Sequence, residues 1–148
     1  MAHQEYHVKD LRVNASKTKL TTSSGTSLIT NPKFFYKDQM LLRFTVVDSL
    51  GNAVNLNTGT YQFRIVSSYA TQNLLADSVN SQFVSGDWSG WSASGGKICC
   101  RVDLDEAAIL AYLTNTQSDK AYCGLWATIG GIEYLLCQFD CTLYNSIS

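Results

Sequence analysis

Two apolar runs, Ala121 to Ile129 and Ile132 to Tyr144, flank Gly130-Gly131, and no other stretch limits the fold of this 148-residue chain so tightly. A Gly-Gly pair between two such runs suits a two-residue primed turn, which requires positive φ. The sequence therefore predicts a long terminal β-hairpin. A strictly regular ladder from that turn sets Trp126 opposite Leu135, Gly124 opposite Cys137, Tyr122 opposite Phe139 and Cys123 opposite Gln138. One face is then aromatic and apolar, extended by Cys141 and Leu143, while Gln138, Asp140 and Thr142 point away. The same register disfavours a Cys123–Cys137 disulfide.

Upstream, the period-2 alternation of half-buried strands recurs. In 41–48, Leu42, Phe44 and Val46 share one face and Arg43 and Thr45 the other, and Ser49 to Asn52 supplies a turn. In 60–67, Tyr61, Phe63 and Ile65 point inward and Gln62 and Arg64 outward. Leu74 to Phe83 gives a weaker third strand, followed by a Gly/Ser/Trp loop from Ser85 to Gly96. Lys97 to Leu104 sets Ile98, Cys100, Val102 and Leu104 on one face, so the adjacent Cys99 and Cys100 face opposite sides. Asp103 precedes Glu106 by three residues, a capping-box-like spacing, and Ile109, Leu110 and Leu113 then lie on one helical stripe. A helix of two to three turns, ending near Asn115, is expected.

Residues 1–34 show no sustained period, and Ser, Thr, Asn and Lys dominate from Asn14 to Thr30. The expectation is an extended N-terminal arm over 1–34, ordered by a neighbour, and a β-sandwich domain over 35–148. The boundary falls after Pro32, the one proline, because the residue before a proline is biased away from helix. Val8, Leu11, Val13, Leu28 and Ile29 are the arm's apolar anchors, suited to adding an edge strand or to clipping onto a partner subunit. On that reading residues 1–30 are dispensable for folding.

Composition narrows the function. Charged residues make up 16% of the chain and the net charge is −1, so the whole chain carries no electrostatic footprint for phosphate backbones or anionic lipid. No stretch reaches the roughly 18 apolar residues of a membrane span, and Met1 is followed by polar residues rather than a signal core. Partners are expected to include neither nucleic acid nor membrane. The five cysteines, 99, 100, 123, 137 and 141, are odd in number and contain no Cys-x-x-Cys, which favours free thiols packed as small hydrophobes.

The inventory for catalysis is thin. The two histidines, His3 and His7, both lie in the arm and lack a third metal ligand in pattern. Glycines 86, 90, 95 and 96 fit no phosphate-loop spacing. Asp103, Asp105 and Glu106 form the one tight carboxylate cluster, read as helix N-terminal acids rather than a cation site. No catalytic residue, metal or cofactor is assigned. Trp88 and Trp91, near Asp87 and with Tyr69 and Phe83 close in sequence, suit the closing of a sandwich end, a protein hot spot or a sugar-stacking platform.

The order of elements carries a resemblance. The turn Asp48-Ser49-Leu50-Gly51 followed by Leu56, the strand opening Gly59-Thr60-Tyr61-Gln62-Phe63, the Gly96-Lys97-Ile98 start, the short helix and the terminal hairpin follow one another in that order. Over roughly 40–144 this resembles the β-sandwich domains of tailed-bacteriophage virions, especially the N-terminal domain of upper-baseplate proteins and related tail adaptors. The last strand, Leu135-Leu136-Cys137-Gln138-Phe139, departs by placing Cys137 where glycine is usual. Small capsid decoration or cement proteins share the same character. The resemblance implies a mainly β, antiparallel sandwich of Ig-like or jelly-roll-like type with one short helix. It implies a non-enzymatic virion component, made in the host cytoplasm, whose partners are tail, baseplate or capsid subunits and further copies of itself. The expected contacts are Val8, Leu11, Val13, Leu28, Ile29, Trp88 and Trp91. A carbohydrate- or receptor-binding module using the Trp88/Trp91 loop is the alternative.

Overall fold

In the computed structural model, described for residues 7–22, 32–56, 60–71, 73–77, 82–83 and 95–145, the chain ends in a hairpin of β9 (Ser118–Ile129) and β10 (Ile132–Tyr144). Gly130 and Gly131 turn it with φ of 60° and 81°, the positive pair that a primed turn demands. Trp126 faces Leu135 as expected, but a bulge at Leu136 then shifts the register, so Leu125 faces Cys137, Gly124 faces Gln138, Cys123 faces Phe139 and Tyr122 faces Asp140. The expected pairs beyond Leu135 are thus corrected by one residue. The bulge places both Leu136 and Cys137 in the core opposite Leu125. It brings the inward sets Ala121, Cys123, Leu125 and Cys137, Phe139, Cys141, Leu143 together, and leaves Tyr122 and Trp126 on the outer face.

The described strands form two five-stranded sheets. The second has the order β3 (Lys33–Phe35), β10, β9, β5 (Thr60–Val66), β6 (Leu74–Asp77). The first has the order β2 (Lys19–Thr21), β1 (His7–Asn14), β4 (Gln39–Val47), β8 (Lys97–Asp103), β7 (Gln82–Phe83). A mainly β sandwich with one short helix is therefore the fold. Most ladders are antiparallel, but β1 runs parallel to β4 and β3 parallel to β10. The single weak strand expected over 74–83 is two strands in different sheets, β6 beside β5 and β7 beside β8.

Within the segment expected as an arm, the strands β1 and β2, joined by a turn over 15–18, are built into the sandwich. β1 is an interior strand, paired residue for residue with β4 from His7–Met40 to Asn14–Val47 and flanked by β2. Leu11, Val13 and Leu20 pack into the core, with Val13 fully buried. On the opposite face of that sheet Arg43 grips Asp10 through two charge-assisted hydrogen bonds, one of them Nη2 to Oδ2 at 2.8 Å. The packing boundary therefore does not fall at residue 34. Phe34, just after Pro32, is itself fully buried in β3.

Between the sheets, Phe63 bridges the layers, its ring 5.9 Å from Phe44 of β4 and 6.4 Å from Phe139 of β10. The helix α1 (Ala107–Tyr112) caps one end with Ile109 and, just beyond it, Leu113 buried, while Leu110 stays 47% exposed and leaves the expected stripe. The capping box does not form: Glu106 is itself the N-cap and its side chain does not cap the helix, and Asp103, still in β8, accepts a hydrogen bond from Asp105 N at 2.9 Å.

Gly96 is the position where no other residue fits. Its φ is 76°, and a Cβ there would lie 2.4 Å from the Val46 carbonyl oxygen, while its own carbonyl accepts the Val46 N–H at 2.7 Å. Substitution to alanine combines left-handed strain with a backbone clash. Gly96→Ala is expected to lower stability by about 2–4 kcal/mol, read as an earlier midpoint in urea with an unchanged m-value.

Candidate functional site

Two surfaces of the described residues present groups that the fold itself does not use. The first is the outer face of the second sheet. In the ladder across β5, β9 and β10, Arg64 pairs with Gly124 and Gly124 with Gln138. Strand parity turns these three positions outward, because Phe63 and Ile65 beside Arg64, and Cys123 and Leu125 beside Gly124, go to the core. Lacking a side chain, Gly124 leaves a hollow at the centre of the row. The Trp126 indole leans over it, with Nε1 3.1 Å from where a Cβ would stand. On the other side Tyr69 folds back over the sheet, its ring 4.6 Å from that of Tyr122 and tilted by 55°.

The result is a shallow, open depression lined by Arg64, Val66, Tyr69, Gly124, Trp126 and Gln138. Arg64 Nη2 donates to Gln62 Oε1 at 2.7 Å, which fixes the guanidinium plane. Among the described residues Arg64 makes no further hydrogen bond, and the Trp126 Nε1–H and the Gln138 side-chain amide make none. Burial, with a smaller contribution from Asp140, raises the Tyr69 pKa, so its phenol keeps its proton at physiological pH. The groups converging on the hollow are mostly donors set against aromatic rings.

The second surface is one end of the sandwich. Phe44 of β4 meets Phe63 of β5, and the chain leaves β4 after Val47 and enters β5 at Thr60. Thr60 pairs with Thr128, which pairs with Glu133, so the 48–52 turn and the tip of the β9–β10 hairpin share this end. Asp48 organises the turn: its Oδ1 accepts from Leu50 N and Asn52 N, both at 2.9 Å, and its carbonyl accepts from Gly51 N at 3.0 Å. The fixed turn presents Leu50, which is 86% exposed, and the hairpin tip presents Ile132 and Tyr134.

The residues singled out from sequence fare differently. Leu11 and Val13, expected to meet a partner, are used inside the chain's own core, so partner contact through them is corrected. The cause is their place in a strand flanked on both sides. Val8 stands in β1 opposite Leu41. Leu28, Ile29, Trp88 and Trp91, like His3 and Asp87, lie outside the described residues. All five cysteines are buried free thiols. Burial pushes the Cys137 thiol up to about 12 and raises Cys100 and Cys123 as well, so none of these three is a ready nucleophile. Among the described residues no group of three or more His, Cys, Asp or Glu is placed to hold a metal ion, and no helix is long and apolar enough to cross a membrane. The hollow itself escaped sequence reading. Its one signal was an isolated glycine, Gly124, inside a strand, which marks close approach of another group to the backbone.

The architecture, two five-stranded mixed sheets with a short helix at one end, defines a class of small β-sandwich domain. Within it, the chain is similar in structure to the N-terminal domain of phage TP901-1 ORF48, with a TM-score of 0.53 and 14% sequence identity over 93% of this chain and 98% of that one. At that identity the likeness is one of fold. No protein-family profile matches the sequence, and no curated protein does.

Proposed function

We propose that the chain is a structural component of a phage virion, joined to neighbouring tail, baseplate or capsid subunits by shape and burial, with no reaction of its own. The observation that carries this reading is the fold likeness, which spans nearly the whole of both chains and pairs this one with a domain of a phage protein. The sequence resemblance to tailed-phage virion domains supports the same class from different evidence, the order of its turns and strands.

The attachment surface is the apolar end rather than the first strand, whose anchors Leu11 and Val13 are buried within the chain. Leu50 is held out on a turn fixed by three hydrogen bonds to Asp48, so little conformational freedom is lost when a partner covers it. Covering such a leucine contributes about 1.5–3 kcal/mol. Mass spectrometry of gradient-purified particles tests the assignment: the chain is expected at fixed stoichiometry to the major virion proteins. Its presence only in the particle-free fraction would contradict it. Leu50→Asp is expected to reduce incorporation while leaving the isolated domain folded.

A further inference from the structure

The geometry points to the Gly124 hollow as a binding site for a single pyranose ring of a saccharide. This inference stands apart from the virion reading and rests on the second sheet alone. The composition of the hollow selects the ligand class. A sugar ring offers an apolar C–H face and a rim of hydroxyl oxygens that accept and donate. The hollow offers aromatic surface from Trp126 and Tyr69, and around it the Trp126 Nε1–H, the Arg64 guanidinium and the Gln138 amide. These donors have no competing acceptor among the described residues beyond Gln62 on Arg64. Gln138 adds an acceptor oxygen beside its donor, the pairing that reads neighbouring hydroxyls.

The outward positions around the hollow are mixed: Gln62, Thr128, Asp140 and Thr142 stand beside Tyr122, Leu135 and Leu74. The two most exposed large apolar side chains among the described residues, Leu50 and Ile132, lie at the end of the sandwich. The sheet also holds the site still: its floor is strand backbone, paired on both sides, and Gln62 fixes Arg64.

The test is a titration of the ¹⁵N-labelled protein with glucose, galactose, N-acetylglucosamine and glucuronic acid, each to about 50 mM, since a one-ring site on an open surface binds with Kd on the order of 1–10 mM. The three tryptophans of the chain give three indole N–H signals, and Trp126→Phe assigns one of them. At least one sugar is expected to shift the Trp126 indole and the Gly124 amide together, saturably. Gln138→Ala and Arg64→Met are each expected to weaken that binding roughly tenfold. Gly124→Ala keeps every ligand-facing side chain but fills the floor against Trp126 Nε1, and is expected to abolish it while the rest of the spectrum stays unchanged. No shift of these two signals with any of the sugars would overturn the inference. So would shifts confined to the other two indoles, or the same shifts produced by an acidic peptide and not by any sugar.

Discussion

Removal of residues 1–30 is expected to unfold the domain, with loss of dispersed amide signals and of a cooperative thermal transition. The segment supplies β1 and β2, hence an interior strand and its outer neighbour in the first sheet. Its loss strips the parallel ladder from β4 and exposes the core against which Leu11, Val13 and Leu20 pack. Burial of three such side chains contributes about 1.5–3 kcal/mol apiece, together of the order of a domain's whole stability of about 5–15 kcal/mol. The ladder's hydrogen bonds add to that loss. A point variant isolates the cause: Val13→Asp places a carboxylate at a fully buried site and is expected to cost more than about 3 kcal/mol in urea unfolding. A folded domain after the deletion would show that the segment is an appendage after all.

Phe63→Ala is expected to produce the largest loss among single core truncations, about 3–5 kcal/mol. Phe63 is fully buried, and its ring lies between Phe44 of the first sheet and Phe139 of the second. Aromatic pairs at such spacing contribute beyond the area they bury. The sheets keep their separation elsewhere through Phe34, Ile65, Ile98 and Leu125, so the cavity cannot readily collapse. Thermal denaturation with far-UV circular dichroism reads the effect as a fall in Tm of more than about 6 °C. A change below about 1 kcal/mol would mean that the two sheets do not meet through this cluster.

Where a period ran long enough, sequence and structure agree. The alternation of Leu42, Phe44 and Val46, that of Ile98, Cys100 and Val102, and the Gly130-Gly131 turn each decided its element. β1 escaped because its inward signal is two residues, Leu11 and Val13, about Arg12, in a segment whose flanks are polar. A strand whose partners lie far away in sequence leaves little local trace, since its pairing with β4 is decided by tertiary packing. The bulge was written in the adjacent Leu135-Leu136, which breaks an otherwise alternating strand, yet a ladder counted strictly from the turn passes over it. That single extra residue turned Trp126 and Tyr122 from the expected core face to the outer one. The candidate site was illegible for the same reason, because it consists of residues from three strands meeting across a register that the bulge and the sheet order determine together.

Antibody labelling of intact particles, imaged by electron microscopy, tests the virion assignment most directly. The account predicts label at one reproducible position on the particle, lost when the gene is disrupted. Unlabelled particles, with the signal confined to the particle-free lysate, would contradict it.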